Sequence, residues 1–412
     1  MRYGLLGEHL THSFSKQIHE SIADYKYDLI QLNSLELEAF LKERGFFGVN
    51  VTIPYKEKVI PYLDELSETA SNVKAVNCIV NRNGKLYGDN TDVYGFIAQL
   101  KHMRINPKNK SCLILGTGGA SKAVKYGLSS LGASNIQFAS RKIEGSNLSY
   151  EEIYRHHFDI VVNCTPVGMY PNNEDVLIDL SKFDKVESYI DLIYNPIRTK
   201  TVIQAQELGI TAEGGLYMLV AQAIKAIELF KDIKIDETVI DNTYRKILKE
   251  NSNIVFIGMP SSGKSTISKE ISKEFNIPLI DTDEEIVKII QMEIKDYFAQ
   301  YGEEAFRNKE TEVVKSIYQK TPYVISTGGG IILNHKNMSY LKQNGFIYFI
   351  ERDLDKLVAT SDRPLSSNFN DLKKLYEYRL PLYKKYADKI IDNNNNIEHT
   401  LHLIKEEAKW KY

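Results

Sequence analysis

The chain has 412 residues, more than one hydrophobic core usually serves, so two or three domains are expected. Its 43% hydrophobic and 26% charged residues belong to an ordinary globular protein, and a formal net charge of −2 gives no basis for nucleic acid or an anionic membrane as partner. Cys78, Cys112 and Cys164 form no C-x-x-C pair and read as reduced thiols of a cytoplasmic protein, while no apolar run is long enough to span a bilayer and Glu8 and His9 interrupt any signal pattern.

Residues 1–106 show short apolar strands at 3–6, 28–32 and 48–53 with helical patterns between them, an α/β arrangement. Ser13 and Ser15 stand two apart in a loop and can aim their hydroxyls the same way, but spacing alone favours a turn or helix cap with Ser15 as N-cap. In Asn50-Val-Thr52-Ile-Pro54-Tyr-Lys56 the proline ends a strand and carries Lys56 beyond it, where α/β sheets place ligands. Asn77 precedes a strand, Asn83-Gly84 reads as a hairpin turn, and Gly88-Asp-Asn-Thr-Asp92 reads, on its own, as a solvated loop. His9 and His12 have a metal-like spacing with no third ligand of the right type nearby, and His156-His157 reads as a polar surface pair.

A polar joint at 107–110 leads into the strand Cys112-Leu-Ile-Leu115 and the turn Gly116-Thr-Gly118-Gly119-Ala120-Ser121. Ala120, Ala123, Val124, Gly127, Leu128 and Leu131 then mark one face of a helix, so this is a dinucleotide-binding turn with serine where the third glycine or alanine usually stands. The strand at 135–139 ends in Ser140-Arg141-Lys142, and two cations there suit the 2′-phosphate of NADP rather than the free ribose of NAD. Strands at 159–163 and 188–192 follow, then Gly214-Gly215 opens an apolar helix that carries Gln222.

Residues 1 to about 248 resemble shikimate dehydrogenase throughout. The resemblance rests on Ser13-x-Ser15, Asn50-Val-Thr52-x-Pro54-x-Lys56, Ala75-Val-Asn77, Gly88-Asp-Asn-Thr-Asp92, Gly116-x-Gly118-Gly119-Ala120, Asn163-x-Thr165, Asp191-x-x-Tyr194-x-Pro196 and Gly215-x-x-Met218-Leu-x-x-Gln222. It implies NADPH-dependent reduction of 3-dehydroshikimate to shikimate. Ser13, Ser15, Thr52, Asn77, Asp92, Tyr194 and Gln222 would hold the substrate, Lys56 and Asp92 would face the reacting oxygen, and Gly116, Gly118, Gly119, Ala120, Ser140, Arg141, Lys142 and Gly215 would hold NADP.

After a second joint at 249–252, the apolar run 254–257 enters Gly258-Met-Pro-Ser261-Ser262-Gly263-Lys264-Ser265-Thr266, and Ile267, Ile271 and Phe275 stripe the helix beyond. This satisfies G-x-x-x-x-G-K-[ST]: backbone N–H groups converge on phosphate oxygens, Lys264 reaches the β- and γ-phosphates, and Ser265 can ligate Mg²⁺. Asp281 and Asp283 end the next strand. One can hold the Mg²⁺ water shell and the other meet an acceptor hydroxyl; Asp283 could also serve as helix N-cap, and the two readings do not exclude each other. Gly328-Gly329-Gly330 follow another strand, Arg307, Arg363 and Arg379 taken alone read as surface arginines, and Asn393 to Asn396 read as a turn.

Together these resemble shikimate kinase. The resemblance implies ATP and Mg²⁺ at Gly258, Ser261, Ser262, Gly263, Lys264, Ser265, Thr266 and Asp281, shikimate at Asp283, Arg307, Gly329 and Arg379, and Arg363 in a lid. Val358-Ala359-Thr360 and Asp392-Asn393 stand where many members carry arginines. The expected architecture is an α/β chain: a substrate-binding domain (1–106), a Rossmann NADP-binding domain whose last helices return to the first (107–250), and a P-loop kinase domain with a parallel sheet (251–412). The expected protein is a monomer or homodimer acting on small molecules. Competing readings are a quinate/shikimate dehydrogenase fused to the kinase, and a non-catalytic metabolite sensor; Lys56, Asp92, Lys264 and Asp283, all present, argue against the sensor.

Overall fold

A computed structural model of the chain describes residues 2–10, 14–143, 145–358 and 369–408. Ser13 and Arg363, with His12 and the segment 362–365, lie outside the described residues. The chain forms two compact units, Met1–Ile247 and Leu248–Tyr412.

The first unit holds two sheets. Arg2–Gly7 (β1), Tyr27–Gln31 (β2), Phe46–Val51 (β3), Glu65–Leu66 (β4), Cys78–Arg82 (β5) and Lys85–Asp89 (β6) stand in the order β2-β1-β3-β5-β6-β4. β1 pairs parallel with β2 and β3, and Leu5 lies between Leu29 and Asn50. β3, β5 and β6 run antiparallel, and Asn83 and Gly84 make the expected hairpin at φ 54 and 88. β3 is buried from Gly48 to Val51, as a strand covered on both faces should be. A Cβ on Gly48 would overlap the Phe230 ring, so glycine there lets the helix Leu216–Lys231 lie on the sheet.

The second sheet has Ser111–Leu115 (β7), Asn135–Ala139 (β8), Ile160–Asn163 (β9), Ser188–Asp191 (β10) and Thr211–Glu213 (β11), all parallel, in the order β11-β10-β9-β7-β8. The chain reverses direction across the sheet at β7, so the turn after β7 opens at the crevice where such sheets bind ligands. The helix Gly119–Ser130 buries Ala123, Val124, Gly127 and Leu128, the face read from the sequence.

In the second unit Asn253–Ile257 (β12), Leu279–Asp281 (β13), Val324–Ser326 (β14), Gly345–Glu351 (β15) and Lys389–Asp392 (β16) form a parallel sheet ordered β13-β14-β12-β15-β16. Central β12 is buried at every residue and feeds the helix Lys264–Phe275, which turns Ile267 and Ile271 into the core. No described helix is long and apolar enough to cross a membrane.

Three local expectations are corrected. Ser15 is not an N-cap: Phe14 already has helical φ/ψ, so the cap falls one residue earlier and Ser15 is the buried first residue of the helix Ser15–Ile22. Asp283 is not a cap either. The Asp281 carboxylate accepts from the Asp283 N–H at 3.0 Å and caps the helix Thr282–Ile290, leaving Asp283 inside the first turn. Gly88 to Asp92 is not a solvated loop: it ends β6 and starts the helix Thr91–His102, with Thr91 and Asp92 buried.

Candidate functional sites

A cavity of about 180 Å³ in the first unit is lined by Ser15, Thr52, Lys56, Asn77, Asp92, Tyr194 and Gln222, every described residue that was expected to hold substrate or face the reacting oxygen. Ala120 and Gly215, expected at the dinucleotide, close its other side. These residues come from both sheets, and two contacts explain how they meet. A Cβ on Gly95 would sit 2.6 Å from the Met218 carbonyl oxygen and 2.9 Å from the Gln222 Cβ, so glycine lets the helices Thr91–His102 and Leu216–Lys231 touch one turn from Asp92. The Lys56 backbone carbonyl accepts from the Val76 N–H at 2.7 Å, fixing the segment beyond β3.

The Lys56 ammonium donates to Asp92 Oδ2 at 2.6 Å, with both side chains largely shielded. Asn77 Nδ2 donates to the other oxygen, Asp92 Oδ1, at 2.8 Å, and to Thr91 Oγ1 at 3.0 Å, while the Thr91 N–H donates to Asn77 Oδ1 at 2.7 Å. Asp92 thus faces donors on both oxygens, and Lys56 is held by charge rather than by length of tether. Tyr27 OH donates to Asn50 Oδ1 at 2.8 Å behind this layer. The sequence reading left out Asn50 and Thr91 as site residues, though both stand inside motifs it quoted; Tyr27 carries no local signal. Asp191 is buried under four donors, from Asn163, Tyr189, Thr199 and the Ile193 N–H, and so anchors the loop that presents Tyr194.

The turn after β7 is open at Gly118. Gly116 sits at φ 95, and a Cβ on Gly118 would meet nothing within 4 Å, so the missing side chain leaves open space at the helix N-terminus. Ser121 is buried, and its hydroxyl donates to the Gly118 carbonyl at 2.6 Å, which satisfies the group that departs from the usual glycine. Ser140 is half-buried, and Arg141 and Lys142 are exposed at the end of β8.

In the second unit a cleft of about 1150 Å³ takes in Ser261 to Thr266, Asp281, Asp283, Arg307, Gly329 and Arg379. Ser261 at φ 65 and Gly263 at φ 92 wind the phosphate loop, and the buried Ser262 hydroxyl finds no hydrogen-bond partner among the described residues. Such an orphaned donor in a positively charged loop suits an anionic ligand. Lys264 donates to the carbonyls of Gly258 and Met259, both at 2.9 Å. Ser265 is exposed and Asp281 half-buried at the rim, a pair of oxygen donors that fits a hydrated Mg²⁺.

Arg307 and Arg379 reach the same cleft from different helices. Arg379 donates to the Gly329 carbonyl at 3.0 Å, as does Tyr383 OH at 2.5 Å, and burial lowers the arginine pKa. Arg307 donates to Glu310 at 3.1 Å and to Glu303 at 3.0 Å, on its own helix Ile294–Ile317. The sequence reading missed Glu310, whose only signal was an acid three residues after Arg307. Burial pushes the Glu310 carboxyl up to about 7, against the pull of Arg307.

The first unit has the fold and site of a dinucleotide-dependent oxidoreductase, and the second those of a P-loop phosphotransferase. Shikimate dehydrogenase (NADP(+)) of Clostridium perfringens strain SM101 is 36% identical over 264 residues, covering 60% of this chain and 97% of the relative. The crystal structure of a chorismate mutase/shikimate 5-dehydrogenase fusion protein from Clostridium acetobutylicum, 37% identical, superposes with TM-score 0.57 over 60% of this chain and 96% of its own. That of shikimate 5-dehydrogenase from Thermus thermophilus in complex with NADP(H) and shikimate, 29% identical, gives TM-score 0.54 over 60% and 99%. The sequence model of the shikimate dehydrogenase substrate binding domain matches residues 5–79, and that of shikimate kinase matches residues 260–408. The chain belongs to the shikimate dehydrogenase family and carries a shikimate kinase domain after it.

Proposed function

We propose that this chain is a bifunctional enzyme of the shikimate pathway, reducing 3-dehydroshikimate to shikimate with NADPH and phosphorylating shikimate to shikimate 3-phosphate with ATP and Mg²⁺. The observation that carries the reading is the Lys56–Asp92 pair, 2.6 Å apart in a cavity that also reaches Ala120 of the glycine turn. NADPH supplies the hydride to the C3 carbonyl when bound. Lys56 then donates the proton that the resulting alkoxide requires, and Asp92 keeps the ammonium aimed at that oxygen. Ser13, Ser15, Thr52, Asn77, Tyr194 and Gln222 bind the ring hydroxyls and carboxylate.

ATP–Mg²⁺ supplies the phosphoryl group in the second unit. Asp283 orients the 3-hydroxyl, Arg307 and Arg379 bind the carboxylate, and Lys264 and Arg363 neutralise charge on the phosphates. The enzyme is cytoplasmic, in keeping with the free thiols Cys78, Cys112 and Cys164, and is a monomer or homodimer. Assaying each substrate with its own nucleotide separately tests the two halves; a half that leaves its substrate unchanged at saturating nucleotide contradicts its part of the reading.

Two further outcomes follow from the charges. Replacing Arg141 and Lys142 together by alanine is expected to raise KM for NADPH by about tenfold while changing that for NADH little, since only the phosphate loses its partners. Equal effects on both nucleotides would remove these cations from NADP selection.

Glu310 sets a pH dependence. Its pKa is raised above the ordinary carboxylate value, so the neutral form prevails below about 7 and charge arrives as pH rises through that value. The stability contributed by the neutral form is fully present below the ordinary value of 4.5 and is lost as pH rises from there through about 7. The charged form also competes for Arg307, so KM for shikimate should climb severalfold as pH rises through about 7, and Glu310→Gln should flatten the profile. A profile unchanged by that substitution would assign the titration elsewhere.

A further inference from the structure

The tract Asn393 to Asn396 reads from sequence as a polar turn, yet Asn393 is 3% exposed. It immediately follows β16, and its backbone N–H donates to the Glu351 carbonyl at 2.8 Å, which extends the pairing of β15 with β16 by one residue. Its side-chain amide is used at both ends. Nδ2 donates to the Ser262 carbonyl at 2.7 Å, and Oδ1 accepts from Thr400 Oγ1 at 2.6 Å. The Ser262 carbonyl can only accept, so it fixes which way the amide points: the NH₂ faces the phosphate loop and the oxygen is left to take the Thr400 hydroxyl.

The Ser262 carbonyl and the Gly263 N–H belong to one peptide plane. In a trans peptide these two groups point in opposite directions. Holding the carbonyl to Asn393 turns the N–H the other way, into the loop. Gly263 is at φ 92 and immediately precedes the helix Lys264–Phe275, so the plane sits where a positive φ leaves it to be set by its neighbours. A carbonyl that swung inward would put a negative dipole against phosphate oxygens. A Cβ on Gly263 would lie 2.9 Å from Asn393 Nδ2, which shows how closely the amide is packed on the loop.

We propose that Asn393 is a positioning residue for the nucleoside triphosphate: it locks the Ser262–Gly263 peptide so that the Gly263 N–H faces the phosphates, with Thr400 holding the amide oxygen in place. The proposal rests on the reading of this cleft as an ATP site. Asn393 does not touch the reacting atoms; it acts through the loop.

ATP binding, measured by calorimetry on the full chain without shikimate, tests the proposal. Asn393→Ala is expected to weaken ATP about tenfold. Asn393→Asp should weaken it further, because the isosteric acid keeps the packing but sets a charged acceptor against the Ser262 carbonyl. Thr400→Val should shift affinity in the same direction by less. KM for shikimate should stay near wild type in all three, which reports that the second unit is folded. The proposal is overturned if the aspartate variant binds ATP as well as wild type, or if ATP and shikimate weaken in parallel. Wild-type protein that binds ATP but leaves shikimate unphosphorylated would instead sink the kinase reading while leaving this peptide lock open to the same comparison of variants.

Discussion

Replacing Lys56 by alanine is expected to lower kcat for the reduction by about 10²–10⁴-fold, the range for loss of a positioned general acid. Among the described residues lining the cavity the ammonium is the one cationic group beside Asp92, at 2.6 Å, and its loss leaves the alkoxide to take its proton from water. Affinity for NADPH should change little, because the charge that is lost is directed at Asp92 in the substrate cavity. Asp92 would keep its bond to Asn77 at 2.8 Å, so the site should remain built. Stopped-flow measurement of NADPH oxidation at saturating substrate checks this. A variant that keeps most of its turnover would remove Lys56 from the proton transfer.

Replacing Arg379 by alanine is expected to raise KM for shikimate about a hundredfold, as for loss of a charge-assisted pair to a carboxylate, with ATP binding preserved. Arg379 is 3% exposed, and its tie to the Gly329 carbonyl aims the guanidinium into the cleft. Tyr383 OH also holds that carbonyl, so the glycine segment keeps one anchor in the variant. Initial rates over shikimate at fixed ATP–Mg²⁺ measure the effect. Unchanged shikimate affinity would contradict the role, and parallel loss of ATP affinity would assign the residue to the fold rather than to the substrate.

The architecture was legible because each glycine turn stands between an apolar strand and a striped helix. β7 with Gly116 and β12 with Gly258 could be placed from periodicity alone, and the structure puts both strands in the interior of parallel sheets. The substrate cavity was legible only through resemblance. Lys56 and Asp92 are 36 residues apart, and no local pattern says that they meet. Their meeting depends on Gly95 and Gly48, whose missing side chains let one helix cross another and lie on a sheet; such close approach has no signature in a single sequence. The cap readings also failed. Ser15 and Asp283 are good capping types, but the first cap falls on Phe14 and the second on Asp281. Glu310 drew no reading at all and Asn393 read only as part of a turn; burial, which a sequence does not print, is what makes both of them consequential.

One vessel can decide the central claim. Purified chain is given 3-dehydroshikimate, NADPH and ATP–Mg²⁺, and products are followed by mass. Shikimate 3-phosphate should appear with matching loss of NADPH and ATP; without ATP the reaction should stop at shikimate, and without NADPH nothing should form. Protein that binds both nucleotides yet returns 3-dehydroshikimate unchanged would contradict the account.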